Sequence, residues 1–247
     1  MSDRVLIVNA DDFGLAPGVN SGIILAHRRG ILTSTTLMAN MPYARQAVEM
    51  AADCPELGVG LHVNLTQGAP VAAASELRGL VDSSGALPSV PALMLRAWPA
   101  RAAIRREIAA QVETALAMGV RLTHLDSHKH VHVHPVILEA TISVAHEYGI
   151  RAMRVPVECR ATCAGARAGD QGKAMLVSAM ARQGRKRSIG RGLSATDHFV
   201  GIAQTGKWDP HSMAAAVTMV KPGVTEFMVH PGQVDDVLRS CRTRLVE

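Results

Sequence analysis

The sequence predicts an α/β protein with a mostly parallel sheet, closed or nearly closed into a distorted (β/α) barrel of about seven strands; an open doubly wound sheet is the alternative. Three observations carry this expectation. Short β-branched and leucine runs alternate along the chain with longer segments of helical period. The runs end at chemistry-bearing side chains: Asp11 and Asp12, His62, the segment from His124 to His134, Arg154 and His230. The length, 247 residues, is ordinary for one such domain, so the whole chain, 1–247, is read as a single domain.

Val5 to Val8 reads as the first strand, followed by the acidic turn Asn9 to Gly14. Pro17 to His27 is helical, with Val19, Ile23 and Ile24 on one face and Gly30 placed to stop it. Ser34 to Met38 is strand-like, Ala44 to Ala52 helical, and Gly58 to Leu65 a strand containing His62. Residues 66–99, rich in Pro, Gly, Ser and Ala, form a long excursion expected to act as a partial lid over a site. Ala100 to Met118 is the clearest helix, with Ile104, Ile108, Val112 and Ala115 along one face. Leu122 to Leu125 is the strand that delivers the histidine segment, and Pro135 opens a helix closed by Gly149. Ala152 to Val155 is a short strand. From Glu158 to Gly192 only an apolar helical stretch, Met175 to Met180, stands out. Phe199 to Ala203 reads as a strand, Met213 to Val220 as a helix, and Thr225 to Val229 as the last strand, ending at His230-Pro-Gly.

Composition narrows the function classes. Hydrophobic residues make up 48% and charged residues 19%, which is globular rather than disordered. The net charge of +5 is concentrated at Arg182, Arg185, Lys186, Arg187 and Arg191, a local patch read as a solvated loop rather than a nucleic-acid-binding body. An anionic substrate or weak contact with a membrane surface is the alternative use of that patch. The opening apolar run is too short for a signal-peptide core, and the four cysteines form no CxxC pair, so a cytoplasmic location is expected. Cys159 and Cys163 could hold a metal only with a second nearby pair. Nothing in the composition decides for or against a homodimer.

His124-Leu-Asp-Ser-His-Lys-His-Val-His-Val-His134 holds five of the eleven histidines. If it runs extended, His128, His130, His132 and His134 share one face, suiting a metal or acid/base site. One carboxylate and two imidazoles suffice for a catalytic ion, and Asp12, His62 and His128 form that set. The ion would acidify its water and polarise an amide carbonyl; Asp11 is the adjacent base, and His230 the acid for the departing nitrogen. Taken singly, an Asp-Asp pair is an ordinary turn, His62 an ordinary core histidine and His-Pro-Gly an ordinary strand exit. Their common placement at strand ends sets them apart.

NADDFG at 9–14, GILTSTTLMAN at 30–40, GLHVNLT at 60–66, HLDSHKHVH at 124–132, RVP at 154–156 and HPG at 230–232 resemble the YdjC family of carbohydrate deacetylases. The matches run in order along the chain, leaving only the excursion and residues 158–195 poorly matched. The resemblance implies a metal-dependent hydrolase on a distorted (β/α) barrel that removes acetyl groups from N-acetylated sugars. It implies His62 and His128 as ligands of one divalent ion, Mg2+ or Zn2+, with Asp12 the third. It further implies Asp11 as base, Arg154 as the group that orients it, and His230 as acid. Asp126 and Asp235 are candidate carboxylates for fixing a histidine tautomer. The segment MLRAWPARAAIRREI around Trp98 is similar to the hopanoid-associated branch, whereas Leu125-Asp-Ser is similar to the chitooligosaccharide branch. A lipid-linked acetylamino sugar is therefore an alternative substrate. Hydrolysis of a phosphoester or cyclic amide, and a sugar-binding module without catalysis, are the alternative functions. Trp98 and Trp208 are the aromatic candidates for a sugar face.

Overall fold

The structure, a computed structural model, describes residues 3–158, 160–163 and 165–241. Cys159 and residues 242–247 lie outside the described residues. The sheet has six strands: β1 (Arg4–Phe13), β2 (Ser34–Leu37), β3 (Gly58–Val63), β4 (Leu125–Ser127), β5 (His198–Val200) and β6 (Gly223–Val229). Their order is β4-β3-β2-β1-β6-β5, and every neighbouring pair is parallel. Parallel neighbours require crossovers, and helices supply them. They are α1 (Pro17–Arg29), α2 (Ala44–Ala52), α3 (Val90–Arg96), α4 (Arg101–Ala117), α5 (Pro135–Glu147), α6 (Ala168–Gly190), α7 (Pro210–Thr218) and α8 (Asp236–Ser240).

The sheet curls into a half-barrel. Beyond its regular strands only single-residue bridges are made among the described residues, Leu125 to Met153, Ala152 to Ser194 and Glu158 to Phe199. One of the seven expected strands, Ala152 to Val155, is thus reduced to bridges, held by Leu125 N–H donating to Ala152 O at 3.0 Å and Arg154 N–H to Leu125 O at 2.9 Å. That pairing is short, yet it fixes the backbone of Arg154 beside β4.

Most helix boundaries follow local chemistry. α1 starts with Pro17 in its first turn and ends with His27, Arg28 and Arg29 against its carbonyl end. α4 buries Ile104, Ile108, Val112 and Ala115, the stripe that its period predicts. The basic run 182–191 is a correction: it is no loop but lies along the carboxyl half of α6 and its cap. The packed stripe of α6 is Ala174, Val177, Ser178, Ala181, Gly184 and Ser188, mostly small residues that give little apolar contrast. Gly184 admits Leu138 so closely that a Cβ there would meet Leu138 Cδ2 at 3.0 Å.

Residues 66–99 contain a 3-10 turn at Ala74–Glu76 and α3. Leu77, Leu80, Leu87 and Leu93 are buried in the same core as Leu37, Leu61 and Ile104. The α4 carboxylate Glu107 accepts the N–H groups of Val71 and Ala72 at 2.9–3.1 Å, tying the excursion down. A second cluster, including Val133, Val155, Val177, Phe199 and Met228, lies under α6. Among the described residues no helix is long and apolar enough to cross a membrane.

Candidate metal centre

The site begins with a break in β1. In a regular strand adjacent side chains face opposite ways, so Asp11 and Asp12 could not serve one space. The β1–β2 register shifts between Ala10 and Phe13, and Asp12 adopts φ 68°, in the left-handed region. Both carboxylates consequently reach His62: Asp12 Oδ1 lies 3.4 Å and Asp11 Oδ2 4.0 Å from its Nε2. The turn after the bulge is held by Gly14 N–H donating to Asn20 Oδ1 at 2.7 Å.

His62 on β3 and Asp126 on β4 are register partners, so both point to the same face. His62 Nδ1 donates to Asp126 Oδ1 at 2.7 Å, which leaves Nε2 for the site. His128 follows β4, with Nδ1 3.0 Å from Asp12 Oδ1 and Nε2 buried without a partner among the described residues. The candidate ligand atoms of Asp12, His62 and His128 all lie within 4.8 Å of one another. Asp11, His62 and Asp126 form a second such group, sharing His62.

The extended histidine row does not form. After Ser127 the chain enters a 3-10 turn, His128–Val133, in which Lys129 and His130 take φ 57° and 56°. Two left-handed residues turn the following side chains away, so only His128 joins the cluster. His132 is buried behind it, its Nε2 donating to Arg154 O at 3.1 Å while Ser127 Oγ meets Nδ1 at 2.5 Å. His134 occupies the position before Pro135 at the start of α5.

Arg154 ties the carboxylates together, and its side chain is fully buried. Nη1 and Nη2 donate to Asp11 Oδ2 and Oδ1 at 2.8 and 2.7 Å. Nη1 also lies 2.7 Å from Asp126 Oδ2, and Nε donates to Glu226 Oε1 at 2.7 Å. Glu226 on β6 is a member of the site that the sequence reading does not single out; its signal is a carboxylate inside the apolar run Thr225 to Val229. Asn9 and Thr36 are likewise unflagged. Asn9 Nδ2 donates to Asp11 Oδ1 at 3.0 Å, and Thr36 Oγ1 to Asp126 Oδ2 at 3.2 Å.

Burial alone would raise the carboxyls of Asp11 and Asp12. Arg154 and His62 reverse this for Asp11, and His128 and His62 for Asp12, holding both well below the usual carboxylate range. Burial would lower His62, yet Asp126 and Asp11 push it up to about 10.

His230 follows β6, half-buried, makes no hydrogen bond among the described residues, and is among the groups that act electrostatically on Asp11. The loop after it packs on α1, where a Cβ on Gly22 would stand 2.5 Å from Gly232 Cα. Asp235 fixes no histidine: its oxygens accept Leu238 N–H at 2.7 Å and Gly18 N–H at 2.6 Å, capping α8 and docking it on α1. Trp208 packs edge-on against Phe227, ring centres 4.8 Å apart, and Trp98 is 65% exposed on the surface.

The residues present fit a divalent ion. Edges between ligand atoms around an ion with bonds near 2.1 Å are about 3.0–3.4 Å; Asp12 Oδ1 lies 3.0 Å from His128 Nδ1 and 3.4 Å from His62 Nε2. The contact of Asp12 with both imidazoles, and the carboxylates that push His62 up, mark a place where positive charge is wanted. Fold and site together define a parallel α/β protein with a candidate metal centre at the carboxyl ends of its strands. Residues 5–247 match the family model described as YdjC-like protein, and the chain belongs to that family.

The chain is 32% identical over 241 residues to a carbohydrate deacetylase of Thermoanaerobacter pseudethanolicus, covering 95% of this chain and 84% of that protein. It is 47% identical over 152 residues to a carbohydrate deacetylase of Brevibacillus brevis, a match covering 62% of this chain and 58% of that one, little more than half its length. A crystal structure from Enterococcus faecalis V583, described with a suggested role in cellobiose-phosphate cleavage, superposes with a TM-score of 0.73. It is 26% identical, covering 99% of this chain and 90% of that one.

Proposed function

We propose that this protein is a metal-dependent hydrolase that removes the acetyl group from an N-acetylated sugar, on a half-barrel that is a distorted form of the (β/α) barrel. The observation that carries the reading is Asp11, a carboxylate gripped by Arg154, standing beside three potential ligands, Asp12, His62 and His128. The similarity to carbohydrate deacetylases supports the choice of bond.

A divalent ion held by Asp12, His62 and His128 would supply a Lewis acid that acidifies water and polarises a carbonyl. Two nitrogens and one oxygen suit zinc, and an open carboxylate site also suits magnesium. Arg154 holds the Asp11 carboxylate ionised and aimed, so that it takes a proton from the attacking water. Oxygen adds to the acetyl carbon, the C–N bond breaks, and the nitrogen leaves as an amine after His230 gives it a proton. The products are acetate and the free amino sugar.

The test is a substrate panel on metal-loaded protein: N-acetylated saccharides of increasing length, their O-acetyl counterparts and a phosphorylated disaccharide. Acetate release confined to the N-acetyl sugars is the expected result. Phosphate release or glycosidic cleavage without acetate would replace this reading.

A further inference from the structure

On the far side of Arg154 from the proposed ligands lies a chamber of about 460 Å³. Gly58, Thr123 and Val224 line it, residues at or just before the amino ends of β3, β4 and β6, so it opens at the opposite end of the sheet from Asp12 and His128. Arg154, Glu226 and His124 also line it. The room for His124 comes from Gly60, where a Cβ would stand 2.5 Å from the imidazole.

This places Glu226 between two environments. One oxygen accepts Arg154 Nε at 2.7 Å, and the same guanidinium turns its two terminal nitrogens to Asp11, one of them also lying 2.7 Å from Asp126 Oδ2. Asp11, held by two donors on one cation, would be a poor proton acceptor if that cation served it alone. We propose that Glu226 is a positioning residue for the base: it fixes Arg154 in its grip on Asp11 and draws part of the guanidinium charge away, and it reaches solvent through the chamber. This rests on the reading of Asp11 as the base.

The groups that face Glu226 are few. Arg154 is its hydrogen-bond partner, Asp11 on β1 and Asp126 on β4 act on it through charge, and His124 shares the chamber. β5 contributes Phe199, an uncharged ring 5.4 Å from the Arg154 guanidinium carbon. Burial pushes the Glu226 carboxyl up to about 7, against the pull of Arg154. Ionisation as pH rises through that value would leave Arg154 shared among more negative charge and Asp11 more basic.

The experiment compares wild type with Glu226→Gln, which keeps an oxygen for Arg154 Nε but cannot ionise. Acetate release by the wild type is the control for the proposed function itself. The variant should lose roughly three- to ten-fold in kcat with KM and bound metal unchanged, and should lack any wild-type kcat/KM inflection near pH 7. A readout independent of activity is the 15N resonance of Arg154 Nε in metal-free protein, which should titrate near pH 7 in the wild type and stay flat in the variant. Glu226→Ala should lose more activity and regain part of it with added formate entering through the chamber. A Glu226→Gln protein with wild-type kcat and an unchanged Nε titration would overturn the positioning role. So would one that loses metal together with activity, and absence of formate rescue would overturn the route through the chamber.

Discussion

Arg154 closes both terminal nitrogens on the two oxygens of Asp11, at 2.7 and 2.8 Å. The adjacent Asp12 is left to His62 and His128. Two consecutive carboxylates of like chemistry are thereby given different work: one is held by an arginine and one is free for an ion. The β-bulge makes this division possible.

Asp11→Asn should therefore separate chemistry from metal binding. Removing a general base costs about 10²–10⁴ in rate. The expected outcome is a kcat loss of that order with metal stoichiometry retained, measured by acetate release and by metal analysis of the dialysed protein. A fully active variant would remove Asp11 from its role.

Asp126→Asn acts through His62 Nδ1, 2.7 Å away. Loss of a carboxylate that orients a ligating histidine weakens metal affinity by about 10–100-fold. Competition with a chelator of known affinity should show that drop, whereas His128→Ala should abolish metal binding and acetate release together. Unchanged affinity in Asp126→Asn would mean that His62 needs no such partner.

The expected strand ends were largely legible, because parallel strands buried on both faces advertise themselves as apolar runs and because glycine and proline mark the helix ends. Asp11, Asp12, His62 and His128 stood out as polar residues at those ends. What a single sequence hid was the backbone. Nothing in Asp11-Asp12 announces a bulge, and nothing in Lys129-His130 announces two left-handed residues, so the sequence leaves an alternating histidine row open where a tight turn occurs. Glu226, a charged residue in an apolar strand, becomes meaningful only once its partner, Arg154, 72 positions away, is known. α6 carries little signal in the sequence because its packed face is built mostly from Ala, Ser and Gly.

Stability should fall with acid through the buried histidines. Burial is the largest influence on His132 and holds it at about 4 against an ordinary 6.5, so its neutral form is favoured in the folded state. That contribution is complete above pH 6.5 and is lost as pH falls through 4, amounting to about 3 kcal/mol. His130, held well below its usual value, adds to the same slope. Urea unfolding of metal-free protein from pH 7 down to 4 should show the loss, and His132→Gln should flatten it. An equal slope in both proteins would contradict the assignment.

Gly22→Ala probes how His230 is placed. The added Cβ meets backbone at Gly232, 2.5 Å away, and cannot be relieved by a side-chain rotation. Overpacking of this kind costs about 1–3 kcal/mol. The variant should melt earlier and lose more kcat than KM, because the displaced loop carries the proposed acid. A variant that melts earlier but keeps its kcat would separate His230 from the chemistry.

The most direct measurement is a metal titration of stripped protein, with acetate release from an N-acetylated saccharide and bound metal followed together. Activity should be absent without metal, rise with added zinc or magnesium, and saturate at one equivalent, while Asp12→Ala shows neither tight binding nor turnover. Undiminished acetate release from fully stripped protein, or full activity in Asp12→Ala, would contradict the assignment of Asp12, His62 and His128 as the metal centre.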